Sequence, residues 1–297
     1  MRIAVLTGPV GLHLTTRLLE HGGFEVTLLG DRECVPRHEA PAVDAMYVET
    51  PDRRSVIRAT EGMDALFWHV LDRPDADDHL AHQVRLARSA YHAVVRNRIG
   101  HLVLMSGFGA HRPGDGGLAM GMHYAEQLLA HVAASVTILR PAYLMENYLD
   151  QVEPIARRGR IELPVDASTR LPMVAGQDVA RAAHESLVDP PRDRNRIIPL
   201  HGPRDYSFGE AAGMIGDSLR QLVVHAKQTP EELVWSLRQR HAGDDYIRQY
   251  LQMYEAMERG DLRPAYPRSR LSTTPTSLGS FTRDELLPRM NAAGMLQ

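Results

Sequence analysis

The sequence predicts an α/β fold, a doubly wound parallel sheet with a smaller, mostly helical C-terminal lobe. Three observations predict it. Short β-branched runs alternate with amphipathic stretches through residues 1–145, and strands separated by helices imply βαβ crossovers and a parallel sheet covered on both faces. The first run ends in a glycine turn that opens straight into a helical pattern. Beyond that segment the alternation loosens and helical periodicity takes over.

The elements follow in order. "RIAVLTG" is a strand, and "LHLTTRLLEHGG" is a helix with apolar Leu12, Leu14, Leu18 and Leu19 and a glycine stop. "FEVTLLGD" and "DAMYVET" are the second and third strands, "PDRRSVIRATEGM" a short helix and "DALFWHV" the fourth strand, with Trp68 in the core. The long helix "DHLAHQVRLARSAYHAVVRNRIG" carries Leu80, Val84, Ala87 and Tyr91, and "HLVLMSGFGA", "HYAEQLLAHVAA" and "SVTILRP" read as strand, helix and strand. "RIELPV" is a short strand, "LPMVAGQDVARAAHESLVD" a strand and helix, and "NRIIPLHGP" a late strand returning to the sheet. The domain division is therefore 1–145, with elements near 172–203 returning to it, and a lobe at 146–297. That lobe holds the helical patterns "FGEAAGMIGDSLRQ", "TPEELVWSLRQRH" and "DDYIRQYLQMYEAMERG", then an extended stretch closing on a short helix near "FTRDELL".

Composition narrows the functions. A formal charge of -3 over 297 residues carries no basic field for nucleic acid or a membrane surface. Cys34 is the sole cysteine, which excludes an internal disulfide and suits a reducing compartment. The first apolar run is short and broken by Gly and Pro, so no signal or spanning segment is expected, and the chain is assigned to the cytoplasm. Lys227 is the only lysine, so any lysine-dependent step must use it. His79 and His82 share a helix face, but no third ligand stands at a metal-binding spacing, so no metal is expected.

"LTGPVGLHL" is the stretch with chemistry. Between a strand and a helix, Gly8 permits a sharp turn and Gly11 lets backbone approach a pyrophosphate at the helix N-terminus. Gly8, Pro9, Val10, Gly11 and Leu12 thus form a candidate dinucleotide turn. A third glycine would serve helix–strand packing, and Leu14 stands there instead, which is expected to push the helix outward or to crowd the phosphates and weaken binding. At the end of the second strand Asp31 suits the ribose hydroxyls of NAD, and Arg32 suits the 2'-phosphate of NADP. Both cofactors stay open. His69, at the end of the fourth strand, should lie near the adenosine or the site mouth.

The whole chain resembles the NmrA-like family of atypical short-chain dehydrogenases. The resemblance rests on "LTGPVG", "EGMDALF", "HLVLMSGFGA", "HYAEQLL", "VTILRPAYLMENYL", "GQDVARAA" and "TTPTSLGSFTRD", in that order. It implies a Rossmann domain binding NAD(P), a small substrate lobe after Tyr143, and either a reductase or a dinucleotide-binding protein without turnover.

The family's usual acid/base pair, a tyrosine with lysine four residues on, is absent. The candidates that remain for catalysis are Ser106, beside Gly107 at the end of the fifth strand, His123 and Tyr143. Relatives often carry histidine or lysine at the position of Met122, and His123 is one place along, about 100° around a helix. Phe108, Tyr124 and Asn147 are candidate substrate contacts, and Gly107 a cofactor contact. The resemblance places Tyr143, Glu146 and Asn147 near the nicotinamide and substrate. Three functions follow: an NAD(P)H-dependent reductase of a small hydrophobic carbonyl, quinone or polyketide-like compound; a cyclase, isomerase or dehydratase on the same fold; or a dinucleotide sensor. The expected partner is a small molecule, with a homo-oligomer possible.

Overall fold

The computed structural model describes residues 1–31, 43–48, 52–114, 116–132, 134–190 and 195–295. The chain runs β1 (Arg2–Leu6), α1 (Pro9–His21), β2 (Glu25–Gly30), β3 (Val43–Tyr47), α2 (Arg53–Ala59), β4 (Ala65–His69), α3 (His79–Asn97), β5 (His101–Met105), α4 (Ala119–Leu129) and β6 (Ser135–Pro141). It continues through β7 (Tyr143–Leu144), a 3-10 turn (Met145–Gln151), α5 (Val152–Arg158), β8 (Arg160–Leu163), β9 (Arg170–Val174), α6 (Gly176–Val188) and β10 (Asn195–Leu200). The last part holds β11 (Asp205–Ser207), α7 (Phe208–Leu219), β12 (Val224–Lys227), α8 (Pro230–Gln239), α9 (Asp244–Glu258), α10 (Leu278–Phe281), a π turn (Thr282–Leu286) and α11 (Leu287–Ala292).

Seven strands form one sheet in the order β10-β6-β5-β4-β1-β2-β3, with every neighbouring pair parallel. Alternate residues of the inner strands go to opposite cores, as burial on both faces requires. Ile3, Val5, Phe67 and Val103 pack with Leu14 and Leu18 of α1 and Val179 of α6. Ala4, Leu6, Leu66, Trp68 and Leu104 pack with Leu86 and Ala90 of α3 and Leu129 of α4. Strand order reverses between β1 and β4, and a doubly wound sheet opens a ligand crevice at the carboxyl ends of such strands.

Among the late elements, β10 lies beside β6 with Ile197 opposite Ile138, and α6 packs on α1. Strand β9 instead pairs with β7 and β11 in a separate small sheet. The C-terminal part holds helices α7 to α9 where the periodicity put them, and also a parallel pair of β8 and β12. Its core gathers Tyr148, Phe208, Tyr254, Phe281 and Leu286. Phe108 packs against this core and against the α1 side of the sheet. Among the described residues no helix is long and apolar enough to cross a membrane, and no group of metal-ligating side chains lies together.

Candidate dinucleotide and substrate site

The turn after β1 is built by two glycines. Gly8 adopts φ 130°, and a Cβ on it would lie 3.0 Å from the His69 ring; a side chain is disfavoured on both counts. At Gly11 a Cβ would stand 2.2 Å from the Leu6 carbonyl oxygen, so α1 rests directly on the end of β1. Pro9 fills the first helical position, where a missing N–H costs nothing. The Leu12 N–H closes the first turn on the Gly8 carbonyl at 2.9 Å. The Val10 and Gly11 amides have no intrahelical partner, which makes the helix N-terminus an anion site.

Leu14 corrects an expectation. Its side chain is fully buried in the core that includes Val5, Leu18, Val26 and Val179, away from the crevice. The close helix–strand approach is made at Gly11, and Leu14 fills the helix–sheet core one turn further along. His69 is buried directly beneath the turn, its ring 3.0 Å from the place of a Cβ on Gly8. Burial lowers its pKa, and in the neutral ring Nε2–H donates to the Thr7 carbonyl at 2.7 Å. Asp31 is exposed just beyond β2, and Arg32 lies outside the described residues.

The candidate proton donors are dispersed. The Ser106 hydroxyl donates to Glu126 Oε1 at 2.5 Å, and the same carboxylate receives Arg140 Nε at 2.9 Å and Nη2 at 2.5 Å. Both Ser106 and Glu126 are buried. That commitment removes the Ser106 proton from any substrate oxygen. A Cβ on Gly107 would meet the Met122 sulfur at 2.4 Å, so the thioether of Met122 covers the end of β5. His123, turned one residue around α4, has its Nδ1–H donating to the Ala110 carbonyl at 2.8 Å. Tyr124 faces α3, where its hydroxyl accepts from Arg88 Nε at 3.1 Å. Tyr143 is buried against Phe208 and Tyr148 with its hydroxyl 3.1 Å from that of Tyr254. Burial raises the Tyr143 pKa far beyond a working acid's. Asn147 is exposed and reaches the Tyr143 hydroxyl.

Phe108 lines a cavity of about 620 Å³ with His201, Arg170, Leu171, Arg263 and Tyr266. Phe108 follows β5 and His201 follows β10, which sets the cavity over the carboxyl ends of that half of the sheet, a usual place for a substrate. Glu146, named from the sequence without a role, stands between two helix N-termini. Its Oε1 accepts the Gly176 N–H at 2.7 Å, and its Oε2 is buried with no hydrogen-bond partner among the described residues. Burial raises its pKa to about 7, against the amides of Gly176 and of Glu146 itself. The sequence signal for it was the carboxylate one residue from Asn147; nothing local in the sequence tells that Gly176 lies 30 residues away on its oxygen.

A glycine turn feeding a helix N-terminus at the switch point of a parallel sheet defines a dinucleotide-binding protein. A family model described as NAD(P)H-binding matches residues 7–190, and the chain belongs to that family. An uncharacterized oxidoreductase of Bacillus subtilis, YesF, is 29% identical over 126 residues, 42% of this chain and 43% of that one. Agroclavine dehydrogenase of Claviceps fusiformis is 26% identical over 148 residues, 49% and 50% of the two chains. The chain thus spans about half the length of the curated relatives it matches. The fold is shared with three solved structures over nearly their whole length. A nucleoside-diphosphate-sugar epimerase of Staphylococcus aureus has TM-score 0.78 at 18% identity, covering 96% of this chain and 100% of that one. An NADPH-dependent quinone oxidoreductase of Escherichia coli, complexed with NADPH, has TM-score 0.73 at 15% identity, covering 95% and 98%. NmrA, a negative transcriptional regulator solved with NAD, has TM-score 0.73 at 17% identity, covering 99% and 97%. The NmrA-like resemblance read from the sequence agrees with these matches.

Proposed function

We propose that this chain is an NAD(P)H-dependent reductase of a small hydrophobic acceptor, with a quinone favoured over a simple ketone or polyketide-like carbonyl. One observation carries the preference: a cavity of about 620 Å³ opens beside Phe108, while the serine, tyrosine and lysine that carbonyl reduction would draw on are committed elsewhere. Ser106 gives its proton to Glu126, Tyr143 is sealed in the lobe core, and Lys227 is bound to Asp166 and Glu258 in the lobe. Hydride addition to a quinone leaves a phenolate-type oxyanion, stable enough to form without an acid at its side, whereas the strongly basic alkoxide left by a ketone needs a proton donor as it forms. A site whose serine and buried tyrosine are engaged elsewhere suits the first acceptor better than the second.

The Gly8–Gly11 turn and the α1 N-terminus would hold the cofactor's phosphates, and Asp31 its ribose. Bound there, the dihydronicotinamide supplies the hydride. Phe108 offers the acceptor a flat apolar wall. The E. coli quinone oxidoreductase that shares the fold supports the reading.

The experiment is direct. Purified protein is mixed with NADH or NADPH and either menadione or a simple aliphatic ketone, and nicotinamide absorbance is followed. Oxidation with the quinone and none with the ketone is the expected result. Binding of the dinucleotide with no oxidation across quinones and enones would overturn the reductase and favour a sensor; NmrA, a negative transcriptional regulator solved with NAD, shares the fold.

A further inference from the structure

We propose that His201 holds the oxygen of the acceptor, its imidazole N–H donating to the carbonyl of a quinone bound against Phe108. The inference rests on the reductase reading and names the polar contact through which that cavity takes its substrate.

Three observations carry it. The first is place. His201 follows β10 and Phe108 follows β5, and these two residues, with Pro264 and Tyr266, border both the cavity of about 620 Å³ and a smaller pocket adjoining it. His201 therefore stands where the two spaces meet. The second is the state of its ring. His201 is 2% exposed, yet its ring nitrogens have no hydrogen-bond partner among the described residues, and neither is sealed inside the protein as Nε2 of His101 and of His184 is. The buried rings of His69 and His79 are bonded, to the Thr7 carbonyl and to Asp72. A donor withdrawn from bulk water with nothing to bond is a cost that a ligand oxygen removes. The third is rigidity. The His201 backbone N–H donates to the Ser272 carbonyl at 2.7 Å, and Arg268 Nη2 donates to the His201 carbonyl at 3.2 Å. Arg268 also holds the Gly202 carbonyl and Asp205. With both backbone groups taken, the ring is what this residue offers the cavity, and its place is fixed before a ligand arrives.

The charges around it agree. Burial lowers the His201 pKa and Arg268 lowers it further, against Asp205, so at pH 7 the ring is neutral and carries one N–H donor. When the quinone takes the two electrons of the hydride and the dinucleotide is oxidised, negative charge collects on the quinone oxygen. The bond from His201 strengthens as that charge grows, and water supplies the proton that completes the hydroquinone.

His201→Phe keeps a ring and removes both nitrogens, and His201→Gln returns an amide N–H. Each is compared with wild type in two assays: calorimetric titration of menadione in the presence of NAD+ or NADP+, where no hydride moves, and steady-state oxidation of NADH or NADPH by menadione. The phenylalanine variant is expected to bind menadione about three- to tenfold more weakly and to lose about tenfold or more in kcat, with dinucleotide affinity within about twofold of wild type. The glutamine variant should recover the greater part of both losses. Menadione affinity and kcat equal to wild type in His201→Phe overturn the proposal, as does a loss that glutamine leaves unchanged or that comes with weaker dinucleotide binding. Should His201→Phe not fold, His201→Leu takes its place. Menadione bound by wild type and weakened in the variant, with neither dinucleotide oxidised, refutes the reductase and leaves this contact standing. Oxidation at equal rates by the two proteins refutes this contact alone, and a wild type that does not bind menadione refutes both.

Discussion

Replacing Leu14 with glycine separates two accounts of the cofactor turn. Completing the Gly-x-x-Gly-x-x-Gly pattern ought to tighten NADH if residue 14 crowds the phosphates. The structure gives the opposite expectation, because Leu14 is fully buried with Val5, Leu18 and Val26. Truncating a buried leucine to alanine costs roughly 2–5 kcal/mol, and glycine inside a helix adds about 1 kcal/mol over alanine. The sum, roughly 3–6 kcal/mol, is a large part of a typical folding free energy of about 5–15 kcal/mol. Two assays on one preparation suffice: thermal unfolding followed by far-UV circular dichroism, and NADH titration by nicotinamide fluorescence at a temperature where the variant remains folded. The midpoint should fall by roughly 6–24 °C at about 2–4 °C per kcal/mol, with the dissociation constant within about threefold of wild type. A variant that binds NADH at least tenfold more tightly while melting within about 2 °C of wild type would refute the packing argument, since that pattern needs a side chain in the phosphate space.

Other outcomes follow from the same geometry. Gly11→Ala puts a methyl 2.2 Å from the Leu6 carbonyl oxygen, so α1 must lift off β1; dinucleotide affinity should drop at least tenfold, about 1.4 kcal/mol, in the same fluorescence titration. Ser106→Ala removes one hydrogen bond to the Glu126 carboxylate and should lower stability by about 1–3 kcal/mol with quinone reduction within twofold. Glu126→Ala strands the partly buried Arg140 guanidinium and should cost about 3–5 kcal/mol in urea unfolding. Glu146 has a sign of its own: its folded pKa is raised from 4.5 to about 7, so the folded chain holds an extra proton between those values. Its contribution to stability is present below about pH 4.5 and is lost as pH rises through about 7. Glu146→Gln should therefore be more stable than wild type at pH 8, by about 3 kcal/mol, and the gap should close on acidification, as urea unfolding at about pH 8 and about pH 4.5 will report.

The sheet was legible because its inner strands, β1, β2, β4, β5 and β6, are buried along most of their length and appear as near-continuous apolar runs, while α1, α3 and α6 each carry one apolar stripe. The strands that escaped notice, β7, β11 and β12, have two to four residues, too few for a period of two to show. At the site, Gly8 and Gly11 were legible since their task is local. The task expected at residue 14 was already done at Gly11, and a pattern of letters does not tell which glycine meets a carbonyl. The fate of Ser106 depends on Glu126 and Arg140, 20 and 34 positions along the chain, which meet it only when α4 and β6 pack. Met122 in place of His123 at the end of β5 was a matter of helical phase, and phase is set where α4 begins, after a loop whose glycines hide the count.

The ion-paired Lys227 has a practical consequence. As the only lysine, it offers a lysine-specific protease a single cleavage point in the chain. The adjoining backbone is held in the β8–β12 pair, and the Gln228 N–H is bonded to the Leu163 carbonyl at 3.0 Å. Cleavage there requires that pair to part. The rate at which the chain falls into two fragments therefore times the local opening of the C-terminal lobe, and a ligand that ties this lobe to the sheet would slow the clock.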